Sequence, residues 1–284
     1  MLDFPVADAH VHLWDPERYR LPWLSGFEHL NRRFGLEEYA VHTAGINVAA
    51  MVYVQADAAP EDAFAEAAWL SEQAEKDPRL QAIVPSAPLE DRERIVPHLE
   101  ALTALGHRIK GARRNLQTET VDFCLQPDFI AGMRMLPSFG LSFDLCIRHA
   151  QLPAVTELVR RHPETQFILD HIAKPAIKDN LLDPWRSHIA LLAQLPNVVC
   201  KVSGIVTEAD LDRWTIANVT PYIDHILEQF GEDRILFGSD WPVVLLASSY
   251  GRWVETLDTI TNNLTPEARR KFWYENTRRI YRLD

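Results

Sequence analysis

Eight short apolar runs rich in β-branched residues recur along the chain, and most are followed by a longer segment of helical periodicity. They are VADAHVH (6–12), VAAMVYVQ (48–55), LQAIVPS (80–86), RIKGARR (108–114), LSFDLCIR (141–148), QFILDH (166–171), VVCKVSG (198–204) and RILFGSD (234–240). A strand that alternates with a helix builds a parallel sheet, because the chain must cross back over one face before the next strand can run in the same direction. Most of the runs are apolar on both faces, as strands covered by helices outside and packed on one another inside must be. The helical segments are 36 onward, 60–77, 91–105, 126–139, 151–162, 184–195, 208–230 and 249–263, with Pro97 marking either a start or a kink in the third. Eight such units predict an α/β chain folded as a (β/α)8 TIM barrel, one domain over residues 1–284. An open doubly wound sheet would carry a Gly-rich phosphate loop after its first strand; that place is held by His10, Val11 and His12.

Composition narrows the partners. The chain has 284 residues, 47% of them hydrophobic, and a formal net charge of -11 with no run of Lys or Arg. The electrostatic footprint for nucleic acid or an anionic membrane is therefore missing, and a small ligand is expected. Neither a signal segment nor an apolar stretch of about 20 residues is present, so the reading is a soluble, cytoplasmic protein. Cys124, Cys146 and Cys200 are widely spaced in apolar surroundings, which suits reduced thiols without a chemical role.

In a barrel, functional side chains come from the C-terminal ends of the strands. His10 and His12 are two residues apart near the end of the first strand, so alternation sends both into the barrel mouth. Two imidazoles there form either a metal clamp or a pair of hydrogen-bond donors. Other strand ends carry similar chemistry: Gln55 after the second, Arg113 and Arg114 after the fourth, Arg148 and His149 after the fifth, His171 after the sixth, Asp240 after the eighth. Asp240 suits a general base. Asp170 alternates away from His171 and is placed as a supporting or helix-side partner, with Lys174 at the surface or rim. Ser239 has no nucleophile elbow around it and is assigned to packing or the turn. Trp14, Tyr19, Trp23 and Trp241 lie near the mouth loops, where their rings would wall a pocket.

The ordered set DAHVHLWDP, PWL, KGARRNLQ, LDHIAKP and FGSDWPV resembles the lactonase branch of the amidohydrolase superfamily. That branch includes L-fuconolactonase, L-rhamnonolactonase and 2-pyrone-4,6-dicarboxylate lactonase. The resemblance implies hydrolysis of a small lactone ring. It implies that Asp240 activates water and that His10, His12 and His171 surround the carbonyl oxygen, directly or through one divalent metal bound by these residues with Asp240. Zinc is the favoured ion, and metal-independent catalysis stays open. Arg113 would bind substrate oxygens, with Trp23, Arg148, His149, Trp241 and Gln55 as further substrate contacts. Binuclear members carry a carboxylated lysine at the end of strand four, but Lys110 lies early in RIKGARR, which argues against two metals.

A sugar aldono-1,4- or 1,5-lactone is the expected substrate, since Trp side chains suit sugar rings and an acidic protein does not attract a dianion. The alternatives are a dicarboxylate (pyrone or muconolactone-type) lactonase, a lactone isomerase, a metal-dependent decarboxylase of the same superfamily, or a barrel that only binds ligand. The partner is a small molecule, with a homo-oligomer left open.

Overall fold

A computed structural model describes residues 2–284. All eight expected strands form: β1 (Val6–Val11), β2 (Val48–Val54), β3 (Leu80–Val84), β4 (Gly111–Arg113), β5 (Ser142–Leu145), β6 (Phe167–Leu169), β7 (Val198–Ser203) and β8 (Ile235–Gly238). They pair in parallel as β1-β2-β3 and β4-β5-β6-β7-β8. The two arcs meet at both seams. Between β3 and β4, Ile83 N–H donates to Arg108 O and Arg113 N–H to Pro85 O; between β8 and β1, Asp240 N–H donates to His10 O and His12 N–H to Trp241 O. The result is the (β/α)8 barrel that the alternation predicts.

The helices between strands are α1 (Leu36–His42), α2 (Ala63–Ala74), α3 (Ile95–Ala104), α4 (Pro127–Met133), α5 (Leu152–Arg161), α6 (Trp185–Ala193), α7 (Ile216–Phe230) and α8 (Tyr250–Thr261). Pro97 sits in the first turn of α3, where its missing N–H has no partner to lose, so it marks the start of that helix and not a kink. Among the described residues, no helix is long and apolar enough to cross a membrane. The three cysteines are buried and unpaired.

Two further helices follow the eightfold pattern, α9 (Pro266–Arg270) and α10 (Asn276–Tyr281). Tyr281 joins Ala7, Ala50, Val52, Ile168, Val199 and Leu236 in a buried cluster that fills the barrel interior. Arg282 donates to the carbonyls of Lys110 and Gly140, which precede β4 and β5. The chain end thus closes the N-terminal mouth, leaving the C-terminal mouth open.

Candidate active site

The strand ends do not deliver their side chains by simple alternation. On β1, Asp8 faces the helices: Oδ2 accepts from Tyr39 and Tyr250 hydroxyls, each at 3.0 Å. The β1–β2 register is irregular between Asp8 and Val11. Such a local irregularity re-aims the side chains that follow it, and His10, two residues beyond Asp8, reaches into the barrel instead. There its Nδ1 lies 3.3 Å from both Lys201 Nζ and Asp170 Oδ1. Asp8 Oδ1 also accepts from Ser239 N–H at 2.8 Å, tying the β8 turn to β1. Ser239 Oγ accepts from Trp241 N–H, in keeping with a turn role.

After β6, Asp170 does not turn away from His171. Both are buried on the interior, because Asp170 continues the inward parity of Ile168 while His171 adopts φ 51°, which breaks the extended path and swings its ring in as well. His171 Nδ1 then lies 2.9 Å from Ser203 Oγ and 3.9 Å from Asp240 Oδ2. Asp240 itself has φ 61°. Its approach demands glycine opposite, since a Cβ on Gly204 would meet Asp240 Oδ2 at 2.3 Å.

His10 Nε2 and His12 Nε2 are 3.1 Å apart, and Asp240 Oδ1 is 3.2 Å from the second and 3.7 Å from the first. The edge of a tetrahedron around a zinc ion is about 3.3 Å for bonds of about 2.0 Å. These three atoms therefore fit one divalent ion, and the supporting partners fit too. His12 Nδ1 donates to Val54 O at 2.7 Å, which turns its Nε2 lone pair toward the cluster. With an ion at His10 Nε2, the ring proton would sit on Nδ1 facing Asp170 Oδ1, a buried oxygen that also lies 3.1 Å from Lys201 Nζ.

Burial works against the charged form of Asp240, but His171, His12 and His10 outweigh it and hold the carboxyl well below its usual range. Burial likewise lowers His171, to about 4 despite Asp240. Asp170 is also buried, and Lys201, His10 and Arg113 keep it ionised. Arg113 Nη1 donates to Asp170 Oδ2 at 3.1 Å and Nη2 to the Gln55 carbonyl.

Above this floor opens a cavity of about 420 Å3. His12, His171, Asp240 and Arg113 form its base, and Trp23, Arg148 and Lys174 stand on its wall. His10 lies beneath the base, fully buried. Five of the expected substrate-wall residues do not line it. Gln55 is buried under the floor, its carbonyl engaged by Arg113. Trp241 is wholly buried, its ring 5.2 Å from Tyr39 and 5.5 Å from Phe34. Trp14 is also enclosed, donating to the Leu30 and Arg32 carbonyls, and Tyr19 to that of Leu13. His149 starts a 3-10 turn outside the cavity.

Two interior charges escaped the strand-end rule. Lys201 of β7 donates to Asp144 Oδ2 of β5 at 2.6 Å and lies 3.1 Å from Asp170 Oδ1, all fully buried. Their signal was available as a single charged residue inside an otherwise apolar strand, VVCKVS and SFDL.

The amidohydrolase family matches residues 7–283. An L-fucono-1,5-lactonase of Burkholderia multivorans is 33% identical over 97% of this chain and 95% of its own. An L-rhamnono-gamma-lactonase of Scheffersomyces stipitis is 24% identical over the full length of both. The crystal structure of an amidohydrolase from Burkholderia multivorans with bound zinc superposes with a TM-score of 0.89, at 31% identity over 99% of this chain and 100% of that one.

Proposed function

This chain belongs to the amidohydrolase family, and on that premise we propose that it is a lactone-hydrolysing enzyme acting on a sugar lactone. The observation that carries the reading is the convergence of an ionised, buried Asp240 with His12, His171 and Arg113 on the floor of one cavity. An activated ester needs a base for water and positive or hydrogen-bonding groups where the oxyanion develops. Asp240 supplies the base, holding the attacking water and taking its proton. His171 and Arg113 stand beside it to orient the ring oxygens, and the proton returns from Asp240 to the departing ring oxygen. A divalent ion held by His10, His12 and Asp240, zinc being favoured by the neighbouring crystal structure, would polarise the lactone carbonyl.

The cavity wall supports a sugar over a dicarboxylate. It carries Asp57 and Glu208. Lys174 Nζ is held by Gln117 Oε1 at 2.7 Å and lies 4.0 Å from Glu208, and Arg148 is 3.8 Å from the same carboxylate. Cations partnered in this way leave little attraction for a dianion, while the amides and carboxylates suit hydroxyl groups.

The test is a pH-indicator assay of aldonolactones and pyrone dicarboxylates with the wild type and Asp240→Asn. Acid release from a sugar lactone is expected, falling by about 10²–10⁴-fold in the variant. No acid from any lactone, or a variant as fast as the wild type, overturns the proposal.

A further inference from the structure

Beside the first cavity lies a second, of about 580 Å3, formed where the loops after β1, β2, β3 and β4 meet. The two share three wall residues, Trp23, Asp57 and Asn115. We infer that this outer cavity binds a sugar unit attached to the lactone, so that the preferred substrate is the lactone of an oligosaccharide acid. The inference rests on the lactonase reading of the inner site.

The chemistry of the shared wall points to a polyol that spans both cavities. Asn115 Nδ2 donates to Asp57 Oδ2 at 2.9 Å, and Asn115 Oδ1 accepts from Gln117 N–H at 3.1 Å, so these two polar side chains are fixed at the junction. Asp57 is held there with φ 61°, its N–H donating to Gln55 Oε1. Fixed acceptors and donors recognise hydroxyl groups without paying to be ordered on binding. Trp23, on both walls, is half-buried and anchored by its indole N–H to Ala56 O at 2.7 Å. A rigid indole with an accessible surface suits the apolar face of a sugar ring.

Charge selects a neutral ligand. Arg114 of the outer wall is closed by Glu90 at 2.8 Å and Glu119 at 2.6 Å, and Arg94 lies 3.5 Å from Asp91. With both guanidinium groups matched by carboxylates, a phosphate or a second acid finds no uncompensated cation. Hydroxyl groups can still bond to the edges of these pairs.

The experiment compares kcat/KM for glucono-1,5-lactone and galactono-1,5-lactone with cellobiono-1,5-lactone and lactobiono-1,5-lactone, which carry a hexose on O4. In the wild type the disaccharide lactones are expected to react with at least tenfold higher kcat/KM, through a lower KM. Ala58, half-buried on the outer wall only, is replaced by Trp to fill that cavity. Within Ala58→Trp the ratio of disaccharide to monosaccharide kcat/KM is expected to fall to about one. Ser86→Phe, from the wall contributed after β3, makes the same test should the first variant not fold. A wild-type ratio of one or less, or a high ratio that survives both fillings, overturns the inference while leaving the lactonase reading intact. Hydrolysis of none of the four lactones overturns the inference, and overturns the lactonase reading as well only when no other aldonolactone releases acid.

Discussion

His12 Nε2 and Asp240 Oδ1 stand 3.2 Å apart, close enough to share a single cation. The His12 ring spends its Nδ1–H on the Val54 carbonyl, and Asp240 is held ionised by its imidazole neighbours after burial is overcome. Two lone pairs facing at this distance repel unless a cation lies between them, either a proton or a metal ion. The purified protein is expected to carry one divalent ion per chain, with His12→Ala weakening zinc binding by more than the roughly 10–100-fold that loss of a ligand's supporting partner costs. Elemental analysis and a competition titration with a chromophoric chelator measure both. A His12→Ala variant that holds zinc as tightly as the wild type would remove His12 from the ligand set.

Gly204 and Asp240 make the closest approach around the site. Gly204 has φ +57°, and a Cβ there would meet Asp240 Oδ2 at 2.3 Å and its Cβ at 2.5 Å. Gly204→Ala is expected to lower kcat by about 10²-fold, since misplacing a reacting group by about 1 Å has that effect. Gly45→Ala is the control: its φ is +82° but nothing lies within 4 Å. It carries the conformational strain, about 1 kcal/mol, without the clash, so its melting temperature should drop while kcat stays. Equal kcat values for the two variants would refute the clash.

Lys201 is the hub of the interior charges, touching Asp144, Asp170 and His10. Tyr281 adds a hydrogen bond to Asp144 at 2.7 Å. Removing the cation strands buried carboxylates, so Lys201→Met should destabilise the fold by about 3–5 kcal/mol. Adding Asp144→Asn removes one stranded charge and should recover about 1 kcal/mol or more. Urea unfolding of the two variants settles the matter; a double variant less stable than Lys201→Met contradicts it.

The barrel was legible because its signal is periodic and repeated: eight apolar runs such as VAAMVYV and VVCKVS cannot be buried on both faces except in a helix-covered parallel sheet. His12, His171, Asp240 and Arg113 were legible because they end such runs. The orientation of Asp170 was not, since alternation counted from His171 assumes extended backbone, and His171 leaves the extended region at φ 51°. Trp241 and Gln55 were misplaced for a different reason. Position at a strand end fixes height in the barrel but not depth, and both side chains pack below or behind the cavity wall. Lys201 and Asp144 were missed because they lie mid-strand, where the rule for barrels expects packing side chains.

Glu66 of α2 connects the cavity wall to pH. Its Oε1 accepts from the Tyr53 hydroxyl and from Ala56 N–H at 2.6 Å, while Ala56 O holds the Trp23 indole. Burial raises its pKa to about 7, against Tyr53, Ala56 and Arg113, with Asp57 adding to the rise. In the unfolded chain a glutamate titrates near 4.3, so between about pH 4.3 and 7 the folded state holds the extra proton. The stabilisation from protonated Glu66 is fully present below the unfolded value and is lost as pH rises through about 7. Glu66→Gln keeps an acceptor for Tyr53 and Ala56 without a titrating group. Measured by denaturant unfolding, the wild type should lose about 3 kcal/mol relative to Glu66→Gln between pH 4 and pH 8. A stability difference that stays constant across this range would show that Glu66 does not titrate there.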